Sequence, residues 1–239
     1  MRGQHWIRKG LKMNEMGSAK NISRIVKSMA RNRTYALLAI GFRYPEEDTF
    51  LRLADGSYAE EIAGALEVCA PELVDTFEEI IAPRLRVTTS GQELASAYLS
   101  AFETNMPDPS VSLYEGSYHQ RGSKPALLLE LKSFYRNFGL AIAKEENDLE
   151  DALSAELEFM QFLTAKQTQA EEGLLDKVPY LRAQRDFIER HLAAWLPALQ
   201  ADVTSKLKTP FYVALTELLT SFVSYEITGM QRDVTNLDR

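Results

Sequence analysis

The sequence predicts an all-α fold, a single globular bundle of about nine helices. Apolar residues recur at helical spacing in almost every segment, and proline and glycine divide those segments at short intervals. No stretch alternates apolar and polar residues for the length of a strand; Val87-Thr88-Thr89 comes nearest and is too short. The 239 residues, 45% apolar and 26% charged, suffice for one domain with a sizeable core.

The first half of the chain divides into five helices. The first is predicted over 23–41 and ends before Tyr44-Pro45, because a residue that precedes proline is pushed out of the α region. Ser90, with Glu93 three residues later, matches a capping box and predicts a helix from there to about residue 104. Between these two lie three short helices, separated by glycine or proline, over 46–54, 57–69 and 71–82.

The second half holds one long loop and four further helices. Residues 105–123 lack periodicity and contain two prolines and two glycines, and a loop of this length in a compact domain is usually functional or disordered. Its aromatic residues favour a functional, packed loop. Apolar stripes then predict helices over 124–143, 150–170, 180–200 and 210–229.

Charge is distributed unevenly along the chain. Residues 1–33 carry nine Lys and Arg against one acid, Glu15, which makes +8; because the whole chain carries −7, the other 206 residues carry −15. We therefore predict a basic, disordered extension over 1–22, a helical domain over 23–230 and a polar tail over 231–239. An alternative is a nucleic-acid-associated helical regulator that acts through the basic N-terminus, although an acidic body repels nucleic acid.

The motifs of common enzyme classes are missing from the sequence. It contains no phosphate-binding glycine loop and no dinucleotide fingerprint, and its three histidines are far apart in sequence and outside any zinc-ligand spacing. We therefore predict no enzymatic activity, no cofactor and no metal. The basic N-terminus is not followed by the apolar segment of a secretory signal, and the one cysteine, Cys69, lies among apolar residues as a buried structural thiol would. These features predict a cytoplasmic protein without membrane insertion.

Two loops flanking the helix over 124–143 carry the candidate binding residues. In the first, Tyr114 and Tyr118 flank Glu115 and are interpreted either as anchors that pin the loop to the core or as the wall of a groove. The second is acidic, and acids in the first turn of a helix stabilise its dipole. That explains Asp148 and Asp151 but not Glu156, which lies one turn further on beside an apolar stripe. We interpret the Glu156 carboxylate either as a contact for a ligand cation or as part of a solvated face.

The helix predicted over 180–200 carries the last two candidates, His191 and Trp195. His191 adjoins the stripe formed by Ile188, Leu192 and Trp195, a position more typical of a core or edge histidine than of a ligand.

The order of these motifs resembles the cytoplasmic chaperones of complex molybdoenzymes, the group that matures trimethylamine-oxide, dimethyl-sulfoxide and respiratory nitrate reductases. An early helix ends at Tyr-Pro (44–45), followed by Ser-Leu-Tyr-Glu-x-x-Tyr (112–118) and an acidic loop. Leu-Ser-x-Glu-Leu-Glu-Phe-Met-x-x-Leu (153–163) and Phe-x-x-x-His-Leu-x-x-Trp-x-Pro (187–197) complete the pattern, which covers roughly residues 30–225. The aromatic loop looks closest to the branch that serves dimethyl-sulfide, ethylbenzene, selenate and chlorate enzymes.

The resemblance implies a function in assembly. A family member binds an apo catalytic subunit, often at its twin-arginine leader or N-terminal segment, and holds it until the molybdenum cofactor is inserted. It is a monomer or a swapped homodimer. The family's hinge loop commonly reads Glu-x-Pro-Asp-His; here residues 148–152 read Asp-Leu-Glu-Asp-Ala, so the family's proline and histidine are replaced by Glu150 and Ala152. On this basis we predict that the following residues line or support a peptide-binding groove: Tyr114, Glu115, Tyr118, Asp148, Asp151, Glu156, His191 and Trp195.

Overall fold

The computed structural model describes residues 4–104, 110–118, 123–142 and 149–237, with side chains from Asn21 to Met230 within those ranges. In these residues the secondary structure is helical, arranged as nine helices of one bundle without a β-strand, which confirms the predicted fold class. The predicted division at residues 22 and 230 stays a prediction.

The first five helices follow the predicted order. Helix α1 begins earlier than predicted and runs from Gln4 to Gly41. Helices α2 and α3 lie within one residue of their predicted bounds, and the capping box of Ser90 and Glu93 is formed at the start of α5. The bounds are α2 Glu47–Asp55, α3 Ser57–Cys69, α4 (the consecutive turns Pro71–Leu73, Val74–Thr76, Phe77–Ile81 and Ala82–Leu85) and α5 (Gly91–Tyr98 continued by Leu99–Glu103).

The last four helices differ from prediction mainly at their ends. The helix predicted over 124–143 stops at Asn137, because Gly139 takes a left-handed backbone with φ of 74° and its amide bonds back to Arg136. The one predicted from residue 150 starts at Leu153. The bounds are α6 Lys124–Asn137, α7 Leu153–Glu171, α8 (Val178–Phe187, Ile188–Leu192 and Ala193–Lys206 in one continuous run) and α9 Pro210–Leu237.

The core surrounds the C-terminal half of α1. Tyr35, Leu38 and Phe42 are fully buried there, and the Tyr35 ring meets Phe222 of α9 edge-to-face at 5.2 Å. Cys69 at the end of α3 is also fully buried, as predicted, and burial raises the pKa of its thiol to about 11. The thiol is therefore a packing group, protonated at neutral pH.

A buried polar network holds α1 to three other helices. The guanidinium of Arg31 forms a salt bridge of 2.6 Å with Glu226 of α9 and donates hydrogen bonds to Gln167 of α7 and Gln184 of α8. Tyr35 donates to the same Glu226 carboxylate at 3.2 Å. Because a buried ion pair must keep its geometry to offset desolvation, this network fixes the rotation of α1 against the bundle.

None of the helices in the described part of the chain is both long enough and apolar enough to span a bilayer.

Candidate functional site

A short backbone pairing joins the aromatic loop to the start of α7. Tyr114 and Ala152 form an isolated antiparallel bridge. The Glu115 amide donates to the Asp151 carbonyl at 2.9 Å, and the Leu153 amide donates to the Leu113 carbonyl at 2.9 Å. We call residues 111–118 together with 149–153 the seam. It brings the aromatic and acidic segments into contact although the whole of α6 separates them in sequence.

A hydrogen bond from Gly116 to Asp151 holds the two segments of the seam together. The Gly116 amide donates to Asp151 Oδ2 at 3.0 Å, and a Cβ at position 116 would lie only 2.7 Å from that oxygen. Lys124 Nζ lies 3.8 Å from the same atom. Burial raises the pKa of the Asp151 carboxyl, while the Gly116 amide and Lys124 oppose that shift. Glycine is required at this position because any side chain would displace the carboxyl that holds the loop.

Behind the seam lies a cluster of polar side chains, fully or almost fully buried, which we call the buried cluster: Glu115, Glu156, His191 and Trp195. His191 Nδ1 lies 3.0 Å from Glu115 Oε2, and the Trp195 indole donates to Glu156 Oε2 at 3.1 Å. The Glu115 carboxyl lies close enough to Glu156 for its charge to oppose ionisation of the Glu156 carboxyl.

Glu156 is the member that holds the proton. Its pKa is raised well above the ordinary value, first because burial disfavours the charged form and then because the Glu115 charge is close. The Trp195 hydrogen bond opposes this shift without reversing it. The Glu156 carboxyl thus stays neutral at pH values where an exposed glutamate is ionised.

Tyr118 covers the outer side of the buried cluster. Its ring stacks on Trp195 with centroids 5.5 Å apart and planes inclined by 22°. Its hydroxyl donates to the Ser112 carbonyl at 3.1 Å and lies 3.4 Å from Asp202 on α8. Burial and the nearby Asp202 carboxylate raise the pKa of the phenol. Tyr118 therefore anchors the loop, the first of the two roles predicted for it.

An open pocket of about 300 Å³ lies on the other side of the seam. Tyr44, 42% exposed, meets the Tyr98 ring edge-to-face at 5.7 Å, and Tyr98 meets Phe102 in the same way at 5.2 Å. Two charged residues, Arg43 and Glu103, complete the far side. The near wall consists of seam residues and the first turn of α7, namely Leu113, Tyr114, Ala152, Leu153 and Ser154.

The structure gathers most of the predicted site residues in one place. Tyr114 lines the pocket. Six others, namely Glu115, Tyr118, Asp151, Glu156, His191 and Trp195, lie behind it in the seam or the buried cluster. Asp148 lies outside the described residues. The buried carboxyls are bonded internally and do not face the pocket, so any part they play in binding is indirect in this conformation.

Sequence reasoning missed the aromatic wall of the pocket. Tyr44 was read only as the end of a helix, and Tyr98 and Phe102 were not singled out. Tyr98 and Phe102 are four residues apart, close to a predicted helix end, and this spacing could have indicated a shared aromatic face. Within the described ranges no three His, Cys, Asp or Glu side chains are grouped so that they could hold a metal ion.

Comparison with known proteins identifies close relatives. The family model of the nitrate reductase delta subunit matches residues 60–201, more than half of the chain. The perchlorate reductase assembly chaperone protein of Dechloromonas aromatica (strain RCB) is 50% identical over 218 residues, covering 91% of this chain and 97% of that protein. The selenate reductase assembly chaperone protein of Thauera selenatis is 35% identical over 54% of this chain and 67% of its own length. The chlorate reductase assembly chaperone protein of Ideonella dechloratans is 30% identical over 72% of this chain and 74% of that protein.

Proposed function

The chain belongs to the nitrate reductase delta subunit family, and on that basis we propose that it is an assembly chaperone for one molybdopterin oxidoreductase. It binds the apo catalytic subunit, assists insertion of the cofactor and releases the subunit for export. The role is non-enzymatic and cytoplasmic. The observation that carries the proposal is the 50% identity, over nearly the full length of both chains, to a protein named as a reductase assembly chaperone.

The pocket beside the seam is the site at which the client is held. Its volume of about 300 Å³ is at the lower end of ligand pockets, so it suits one or two side chains of an extended peptide rather than a folded surface. Aromatic rings supply apolar contact area at low cost in conformational entropy. Arg43 and Glu103 also line the pocket, and Arg43 is already paired with Glu158 of α7 in a salt bridge. A leader or N-terminal segment of the client fits this description.

The predicted site residues divide into two roles under this proposal. Tyr114 contacts the peptide directly, since it forms part of the pocket wall. Glu115, Asp151 and Glu156 hold the wall in place through the seam and the buried cluster, together with Tyr118, His191 and Trp195. Asp148 remains a predicted contact from the acidic loop.

Co-purification tests the proposal. The tagged chain is co-expressed with a molybdopterin-binding catalytic subunit from the same genome, in cells that cannot make the cofactor, and the retained subunit is quantified. We expect a stable complex with the wild type. Loss of a central aromatic contact typically costs 2 kcal/mol or more, so Tyr44→Ala and Tyr114→Ala should each reduce retention by about tenfold or more.

Leu129→Ala serves as the matched control, because Leu129 is a largely exposed apolar residue on α6 and not part of the pocket lining. That variant should retain the subunit like the wild type. Thermal unfolding of all variants separates lost binding from lost folding. If the wild type never retains the catalytic subunit, the chaperone proposal fails. If it does, and both tyrosine variants bind normally while folded, the pocket is the wrong site.

A further inference from the structure

One carboxylate in the lining of the pocket has no cation paired with it. Glu103 is the last residue of α5, and its exposed side chain lines the pocket. Within the described ranges no hydrogen bond or salt bridge joins this side chain to another residue. The other charged residue of the lining, Arg43, is paired with Glu158 of α7. The charge that the pocket can offer to a partner is therefore negative.

Two helix ends add to the negative potential on the Glu103 side. Helix α1 ends at Gly41, immediately before the lining residues Phe42 and Arg43, and α5 ends at Glu103 itself. The C-terminus of a helix carries a partial negative charge and attracts cations. The start of α7, which is a positive end, forms the opposite wall. A cation in the pocket is therefore stabilised most on the side where Glu103 lies.

The ring of Tyr44 is open to such a cation. Tyr44 is 42% exposed, whereas its neighbour Tyr98 is almost buried. Tyr114 already has a cation of its own, since Lys124 Nζ lies 5.7 Å from the centroid of its ring. An ammonium or guanidinium group within about 6 Å of an aromatic centroid is attracted by the ring quadrupole. The pocket thus combines an open tyrosine ring with an unpaired carboxylate.

We propose that the pocket selects a basic side chain, arginine or lysine, from the client segment that it holds, and that Glu103 determines this specificity. The inference rests on the proposed function, because it assigns one contact within the complex of chaperone and client. The cationic head pairs with the Glu103 carboxylate, and the aliphatic stem packs on Tyr44. Arg43 keeps its salt bridge with Glu158.

Two other kinds of side chain suit the pocket less well. An acidic side chain would be repelled by Glu103, and Arg43 could bind it only by leaving Glu158. A purely apolar side chain would pack on the rings, but it would remove water from the Glu103 carboxylate without giving it a partner, which costs free energy. A basic side chain satisfies the rings and the carboxylate together.

Titration with matched charge variants tests the proposal. The full chain is titrated with the purified apo catalytic subunit, and with forms of that subunit in which each arginine or lysine of the N-terminal segment is replaced singly by glutamine. We expect Glu103→Gln to weaken binding about fivefold or more, and one client substitution to do the same. That client substitution should cost little further affinity when Glu103→Gln is already present, because the two groups form one contact.

Two control variants separate local pairing from other effects. Glu67→Gln removes the same charge from an exposed position on α3 that does not line the pocket, and it should bind like the wild type. Glu103→Asp keeps the charge and should bind more tightly than Glu103→Gln. All three variants should keep the wild-type melting temperature, since the replaced side chains are exposed.

The outcomes distinguish this inference from the proposed function. If the wild type binds the apo catalytic subunit and Glu103→Gln binds it equally well or more tightly, the specificity is overturned while the chaperone function stands. Equal weakening by Glu67→Gln, or client substitutions that cost the same in Glu103→Gln as in the wild type, would overturn it as well. If the wild type does not bind the subunit at all, the proposed function fails and this inference fails with it.

Discussion

Replacing Glu156 with glutamine isolates the proton in the buried cluster. Glutamine has nearly the same shape and keeps an oxygen that accepts from the Trp195 indole. It therefore mimics the protonated glutamic acid but cannot ionise. The variant should preserve the fold and change only how stability responds to pH.

The sign of the effect follows from the raised pKa. Glu156 keeps its proton in the folded state at pH values where the unfolded chain, with an ordinary value of 4.5, has released it. Stability from this group is therefore fully present below about pH 4.5 and declines as pH rises toward the folded pKa. One proton contributes a slope of at most about 1.4 kcal/mol per pH unit, so the wild type should lose stability relative to Glu156→Gln as pH rises above about 4.5.

Urea unfolding followed by circular dichroism at about pH 5.5, 6.5 and 7.5 measures this difference, and titrations common to both proteins cancel. Glu67→Gln on α3 is the matched control, since Glu67 is exposed; its curve should follow the wild type. Parallel pH curves for Glu156→Gln and the wild type would refute the proton assignment. A variant that is less stable at every pH by a constant amount would do so as well.

Three further outcomes concern the same region and the core. Trp195→Ala should lower the free energy of unfolding by about 3–5 kcal/mol, because the ring is 2% exposed and its indole bonds Glu156; a urea midpoint close to the wild type would contradict this. Gly116→Ala should cost about 1–3 kcal/mol and speed amide exchange in the seam, since its Cβ would lie 2.7 Å from the Asp151 carboxyl; unchanged exchange would show that the seam tolerates a side chain. Cys69 should react with a thiol reagent at least about a hundredfold more slowly in the folded than in the urea-unfolded chain, because burial raises its pKa to about 11; equal rates would place the thiol at the surface.

The bounds of the helices were predictable wherever a local sequence signal determines them. The capping box of Ser90 and Glu93 and the punctuation at Gly56 and Pro71 placed α2, α3 and the start of α5 within about a residue. The errors lie at ends that tertiary contacts determine. The acids after residue 147 predicted a helix start at about residue 150. However, the Ala152 amide donates to the Leu149 carbonyl in a turn and the Leu153 amide donates to the Leu113 carbonyl in the seam, so α7 begins only at Leu153.

The members of the site were more predictable than their burial. Glu156 lies beside the stripe of Leu153, Leu157 and Met160, a position that predicted either a contact with a ligand cation or a solvated face, whereas the structure buries it completely. Hydrophobic periodicity identifies the buried face of a helix, but it does not identify which residue of another segment packs against that face. Glu115, the partner that raises the pKa of Glu156, lies in an irregular loop, where no periodicity exists to read.

The buried cluster explains how a loop with little regular structure can form one wall of the pocket. A wholly apolar core at this point could be as stable, since burying carboxyls and a histidine costs desolvation. Apolar contacts, however, would not fix the direction of the loop, whereas the bonds from Glu115 to His191 and from Gly116 to Asp151 each allow one arrangement. Tyr114 lies next to Glu115 in the chain and opposite Ala152 in the seam, so the same bonds set the position of the pocket wall. Polar groups that do not line the pocket thus determine the position of the Tyr114 ring.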